Sequence, residues 1–126
     1  MADIEAVINV IPERLKALAF NEADVHISLE NKGENIYWIE CVAEIPHPIS
    51  FAPDRKLYMA KTLIGILEKK GTKDKRIKLF TDHAVTPGSY NIKLTFYVYD
   101  GDGAIADRIE IYKNIECASE MNAKVL

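Results

Sequence analysis

Between Tyr90 and Tyr99 the chain alternates without interruption. Tyr90, Ile92, Leu94, Phe96 and Val98 fall on one side, and Asn91, Lys93, Thr95, Tyr97 and Tyr99 on the other. Successive side chains of an extended strand point to opposite faces, so a period of two over this length predicts a strand. One apolar face and one mixed face fit an antiparallel strand buried on one side. Turn residues flank it, Pro87-Gly88-Ser89 before and Asp100-Gly101-Asp102-Gly103 after. Such a strand needs neighbours in a sheet and a second layer against its apolar face.

The other segments repeat the pattern. Val25, Ile27 and Leu29 alternate with His26, Ser28 and Glu30, followed by the turn residues Asn31 to Asn35. Tyr37, Ile39, Cys41, Ala43 and Ile45 share one face of the next run, with Ile36, Trp38, Glu40, Val42 and Glu44 on the other. Both faces are apolar near Trp38, which predicts a central strand with its outer face partly covered. Arg76–Phe80 and Asp107–Cys117 read as two further strands. Ile8–Ile11 reads as a short edge strand, because β-branched residues precede Pro12, and a loop runs on from there. Pro46, Pro48 and Pro53 make the stretch between them a crossing loop, with room for a short edge strand at Ile49–Phe51.

Leu57–Lys70 supports two readings. Leu57, Ala60, Leu63, Ile64 and Leu67 fit one face of an amphipathic helix ending before Gly71. The β-branched neighbours of Gly65 favour a strand instead. The tail from Ser119 to Leu126 carries little pattern. The expected fold is therefore all-β: a sandwich of about seven antiparallel strands, with one short helix if Leu57–Lys70 is helical. The 126 residues make one domain, 1–126, with its core between about 8 and 117.

Composition narrows the function classes. Hydrophobic residues make up 48% and charged residues 28%, the balance of a soluble domain. A net charge of −3, with both signs interspersed, provides no basic field for nucleic acid. No apolar run approaches the length that crosses a bilayer, and the acidic Met1–Glu5 start lacks the features of a signal peptide. Cys41 and Cys117 read as small buried hydrophobes in a reducing compartment rather than as a disulfide or redox pair. The expected location is cytoplasmic.

In their order these signals resemble immunoglobulin-like sandwich modules of the adhesion and enzyme-accessory kind. The carrying pieces are Ile8-Asn9-Val10-Ile11-Pro12, Val25 to Gly33, the strand with Trp38, Ile64–Leu67, the polar turn at Gly71-Thr72, and Pro87-Gly88-Ser89-Tyr90 opening the long strand. The match is one of architecture, spanning roughly residues 8–117. It implies a structural role for Tyr90, a tyrosine corner whose hydroxyl bonds back to the preceding loop. The chain departs from antibody-type domains at Ile92, where their second bridging cysteine would sit.

No catalytic set stands out. Asp100-Gly101-Asp102-Gly103 has paired carboxylates but lacks the acidic spacing of a calcium loop, and reads as a hairpin turn. His26, His47 and His83 have no ligand spacing to one another or to the cysteines. Ser50, Ser89 and Ser119 lack the surroundings of a nucleophile. The charge runs Glu68-Lys69-Lys70 and Lys73-Asp74-Lys75-Arg76 read as solvated turns.

What remains is the outward side of the strong strands. Tyr97, Tyr99 and Tyr112, with Lys93 and Arg108, form the candidate interface, since tyrosine and arginine are enriched where proteins meet. The expectation is a non-enzymatic interaction or structural module with no cofactor or metal. It binds a protein partner or itself, as a homodimer, through a sheet face or edge. The alternative is a small-ligand or carbohydrate-binding accessory domain using Tyr37, Trp38 or the same tyrosines.

Overall fold

Eight strands and no helix make up the computed structural model, which describes residues 2–119. They are β1 (Ile4–Ile11), β2 (Arg14–Lys16), β3 (Asn21–Asn31), β4 (Tyr37–Glu44), β5 (Met59–Leu67), β6 (Thr72–Thr81), β7 (Gly88–Tyr99) and β8 (Ile105–Ala118). One sheet has the order β1-β3-β6, the other β2-β8-β7-β4-β5. One of the two is strongly curled. All pairings are antiparallel except the short β2–β8 pairing.

The alternation read from the sequence is the alternation of burial. Ile92, Leu94, Phe96 and Val98 of β7 meet Ile39, Cys41 and Ala43 of β4 and Val25, Ile27 and Leu29 of β3 in one core drawn from both sheets. Each of these ten side chains is fully buried, and burial of each Val, Leu, Ile or Phe among them contributes about 1.5–3 kcal/mol.

Four expectations need correction at the edges. The first strand covers Ile4–Ile11 rather than only Ile8–Ile11, because Ile4 and Ala6 also pack on the core. Its ladder with β3 ends at Ile11–Asp24, as Pro12 has no N–H to continue it. The chain then crosses sheets, and Arg14–Lys16 pairs with Glu116–Ala118 where a loop was expected. Ile49–Phe51 forms no strand: Ser50 makes an isolated bridge to Phe80. The run Lys73–Arg76 is no turn either, but the exposed first half of β6. There Lys73 and Lys75 lie on the inward side, opposite Leu29 and Ile27. Inward charges of this kind blunt a sheet edge against further pairing.

The helical reading of Leu57–Lys70 is overturned, and the reason is a bulge. Ile39 pairs with Gly65 but Glu40 pairs with Leu63, so Ile64 is an extra residue in β5. Gly65 supplies the positive φ, 106°, that such a bulge uses. The inserted residue turns a spacing of two into a spacing of three. Ile64 and Leu67 both face inward, while Leu63 and Ile66 both face out. Across the bulge, strand spacing imitates helical spacing.

Polar anchors fix the loops. The Asn31 side chain is completely buried. Its Nδ2 donates to the carbonyls of Asn35 (2.7 Å) and Glu68 (3.1 Å), and its Oδ1 accepts from Gly33 N–H (3.0 Å). It thereby ties the β3–β4 turn to the β5–β6 turn. Tyr90 donates its hydroxyl to the Thr86 carbonyl (2.8 Å), the back-bond into the preceding loop that the resemblance implied. Both cysteines are buried and unbonded to each other. Burial pushes the Cys41 thiol up to about 12, and burial first, then the charge of Glu116, raises Cys117.

Two predictions follow from these anchors. Asn31→Ala leaves a half-buried N–H and two carbonyls short of partners, and urea denaturation should show a loss of about 2–3 kcal/mol. A thiol whose folded pKa lies above its unfolded value holds its proton longer when folded. Stability is therefore complete below pH 9, the ordinary thiol value, and falls as pH rises from there toward about 12. Cys41→Ala should flatten that decline in denaturation curves taken between pH 8 and 11.

Candidate interaction face

The outer face of the five-stranded sheet is a grid defined by its registers. At one end, Ile66 lies beside Trp38, Trp38 beside Tyr99, and Tyr99 beside Ile105, one residue from each of β5, β4, β7 and β8. The next row is Leu63, Glu40, Tyr97 and Arg108, then Lys61, Val42, Thr95 and Glu110, then Met59, Glu44, Lys93 and Tyr112. The first row is apolar throughout. Ile66 is 52% exposed, Trp38 38% and Ile105 60%, and Leu63 below them is 52% exposed. Neighbouring strands are about 4.8 Å apart, so the row is a continuous apolar band on the surface.

Polar contacts order the rings on this face. The Trp38 and Tyr99 rings lie 5.2 Å apart, tilted at 51°. Tyr99 donates its hydroxyl to Glu40 Oε1 at 3.2 Å. Partial desolvation, then this bond and the Glu40 charge, raise the Tyr99 phenol above its ordinary value. Arg108 sits 5.9 Å over the Tyr97 ring and pairs with Glu110, and the Tyr97 hydrogen bond is the first cause of its raised pKa. Lys93 lies between Glu110 (3.9 Å) and Glu44 (4.0 Å).

All five residues singled out in the sequence, Lys93, Tyr97, Tyr99, Arg108 and Tyr112, lie on this face. Tyr97, Tyr99 and Arg108 come together. Tyr112 stands opposite Lys93, two rows away from Tyr97. Sequence reasoning missed Ile66, Leu63 and Ile105. Their signal was present in the outward apolar side of Trp38, but the bulge concealed which β5 residues stand next to it.

Other candidate chemistry is absorbed by the fold. Asp100 Oδ1 accepts from the Asp102 and Ala104 N–H groups, and its backbone closes the turn with Gly103 and Ala104, at positive φ on Gly103. Ser50 Oγ accepts from Ala52 and Leu57 N–H and donates to the Arg55 carbonyl. Ser89 donates to Glu116. His26 stands opposite Arg76 and Asn9, His47 against Tyr58, and His83 against Phe20. Among the described residues, no three His, Cys, Asp or Glu side chains converge as a metal cluster would. Among the described residues there is no helix long and apolar enough to cross a membrane.

No protein-family model matches the chain, and no curated protein matches it. Solved structures match over nearly its full length. The X-ray structure of the Northeast Structural Genomics Consortium target SoR45 superposes with a TM-score of 0.55 at 14% identity, over 98% of this chain and 92% of that one. BslA, a bacterial hydrophobin, does so with 0.53 at 10% identity, over 95% of each. The CARDB domain of the PF1109 protein from Pyrococcus furiosus, solved with di-metal ions, gives 0.50 at 13% identity, over 94% of this chain and 96% of that one. At these identities the likeness is one of fold.

The Glu40 contact makes a local test. Glu40→Gln removes the charge that favours the protonated phenol, so Tyr99 should titrate closer to the ordinary tyrosine value. Absorbance near 295 nm, compared with Tyr99→Phe to assign the transition, reads the downward shift.

Proposed function

We propose that this chain is an immunoglobulin-like interaction module that pairs with a second copy of itself through the outer face of β5-β4-β7-β8. The observation that carries the reading is the row Ile66–Trp38–Tyr99–Ile105. The strand order supports the fold assignment. The β1-β3-β6 sheet corresponds to strands A, B and E of such modules, and β8-β7-β4-β5 to G, F, C and an added C′. The two buried thiols fit a reducing, cytoplasmic setting.

Self-pairing is favoured by the balance of charge. The grid carries three acids, Glu40, Glu44 and Glu110, and three bases, Lys61, Lys93 and Arg108. A face turned on itself by a two-fold axis meets no net repulsion, and each sign finds the other. The edges offer less: β5 is interrupted by its bulge, and β6 by inward lysines.

Magnitudes set the strength. Four strands and four rows cover roughly 500 Å², taking about 4.8 Å per strand and 3.3 Å per residue. A stable interface uses about 800 Å² on each partner. The dimer belongs to the weak, reversible class, with a dissociation constant on the order of 100 μM.

Sedimentation equilibrium from about 10 μM to 1 mM tests this. The expected result is a monomer at the low end and a rising dimer fraction at the high end. Trp38→Glu and, independently, the more exposed Ile66→Lys should abolish the dimer. A monomer across the whole range, or dimerisation untouched by both variants, would overturn the reading.

A further inference from the structure

The end of the molecule away from the apolar row carries a groove of different character. The β2–β3 turn brings Phe20, the β4–β5 loop brings His47 and Tyr58, and the end of β6 brings Phe80. Two hollows of about 230 and 300 Å³ adjoin here, and Phe20, Pro53, Phe80 and Thr81 line both. The groove is thus elongated and follows the molecular surface.

Its walls are held in place before any ligand arrives. The Ser50 hydroxyl gathers the loop by bonding Ala52, Arg55 and Leu57, and the Ser50–Phe80 bridge pins it to β6. Thr81 Oγ1 donates to the Ala19 carbonyl (2.9 Å) and accepts from Asn21 Nδ2 (2.7 Å), which fixes the turn beside Phe20. The aromatic rings are propped on edge. Phe20 meets His83 at 4.5 Å and 76°, and Tyr58 meets His47 at 5.7 Å and 67°. In such a contact the edge of one ring meets the face of the other, which steadies both rings. Phe20 remains 69% exposed.

The rim decides the class of ligand. Asp54 and Asp82 are matched by Arg55 and Lys56, and Glu22 in the second hollow is paired with Lys78 at 2.7 Å. A balanced rim selects neither an anion nor a cation. The exposed Phe20 ring and the half-buried Tyr58, beside mixed donors and acceptors, match a ligand with an apolar face and a polar girdle, which is the surface of a pyranose ring. We propose that this groove binds a neutral oligosaccharide chain, with Phe20 and Tyr58 as its stacking platforms and Arg55, Lys56 and Asp82 reaching its hydroxyls. This site is independent of the dimer face.

Affinity electrophoresis in gels containing mixed-linkage β-glucan, xylan or galactomannan tests it, with amide NMR to locate binding. The expected result is retardation by at least one polysaccharide and shifts at residues 47–58 and 80–84. Phe20→Ala and Tyr58→Ala should each weaken binding about three- to tenfold. No retardation by any of the three would overturn the proposal, as would full binding by both ring variants. It would equally fail if a decaproline peptide shifted these amides and the polysaccharides did not, since aromatic grooves also take polyproline helices.

Discussion

The position of β7 at the middle of the larger sheet governs the molecule. Its inward side chains reach the second sheet, and its two ladders, to β8 and β4, set the register of everything beyond them. A slip of one residue in either ladder would carry Ile92, Leu94, Phe96 and Val98 out to solvent and Lys93 inward. Burial of those four residues therefore fixes the outer face as firmly as the inner one. The juxtaposition of Trp38 and Tyr99 is a by-product of core packing, and a register shift after Val98 brings Ile105 opposite Tyr99.

That dependence explains how much was legible in the sequence. Burial on one face leaves a period of two, so β3, β4, β7 and β8 could be read directly. Which of their outer residues meet is a matter of register, and register depends on turns and bulges that single residues set. Tyr97 and Tyr99 could be placed on an outer face because they share a strand with the core residues. Ile66 could not, because the extra Ile64 changed the spacing of its strand to one that a helix also produces. The crossing at Pro12 hid β2 similarly: three residues paired in parallel leave no alternation to detect. Lys73 and Lys75 looked like a turn because charge at inward positions contradicts the pattern of a strand. The contradiction has a physical use, since it keeps the β6 edge from pairing.

The two ends of the molecule divide apolar exposure between them differently. At the Trp38 end the exposed side chains are aliphatic and aromatic residues set side by side on the sheet, suited to a broad surface that excludes water. At the Phe20 end they are rings standing on loops, with polar groups between them. A face of that first kind gains from area, and its modest size sets a weak affinity. A groove of the second kind gains from preorganisation, which the Ser50 and Thr81 hydrogen bonds supply.

Their separation has a consequence for the two together. The apolar row sits at the start of β4 and the end of β7, whereas the groove sits past the end of β4 and before the start of β7. Pairing through the face therefore leaves both grooves of a dimer open. A weak dimer with two weak sites on one polymeric ligand gains by effective concentration: the first site bound holds the second near its target. Under both proposals the same linkage would act in reverse, since a polysaccharide holding two copies close would promote their pairing. In the proposed dimer, weakness at each surface is compatible with firm attachment of the pair to one polymer.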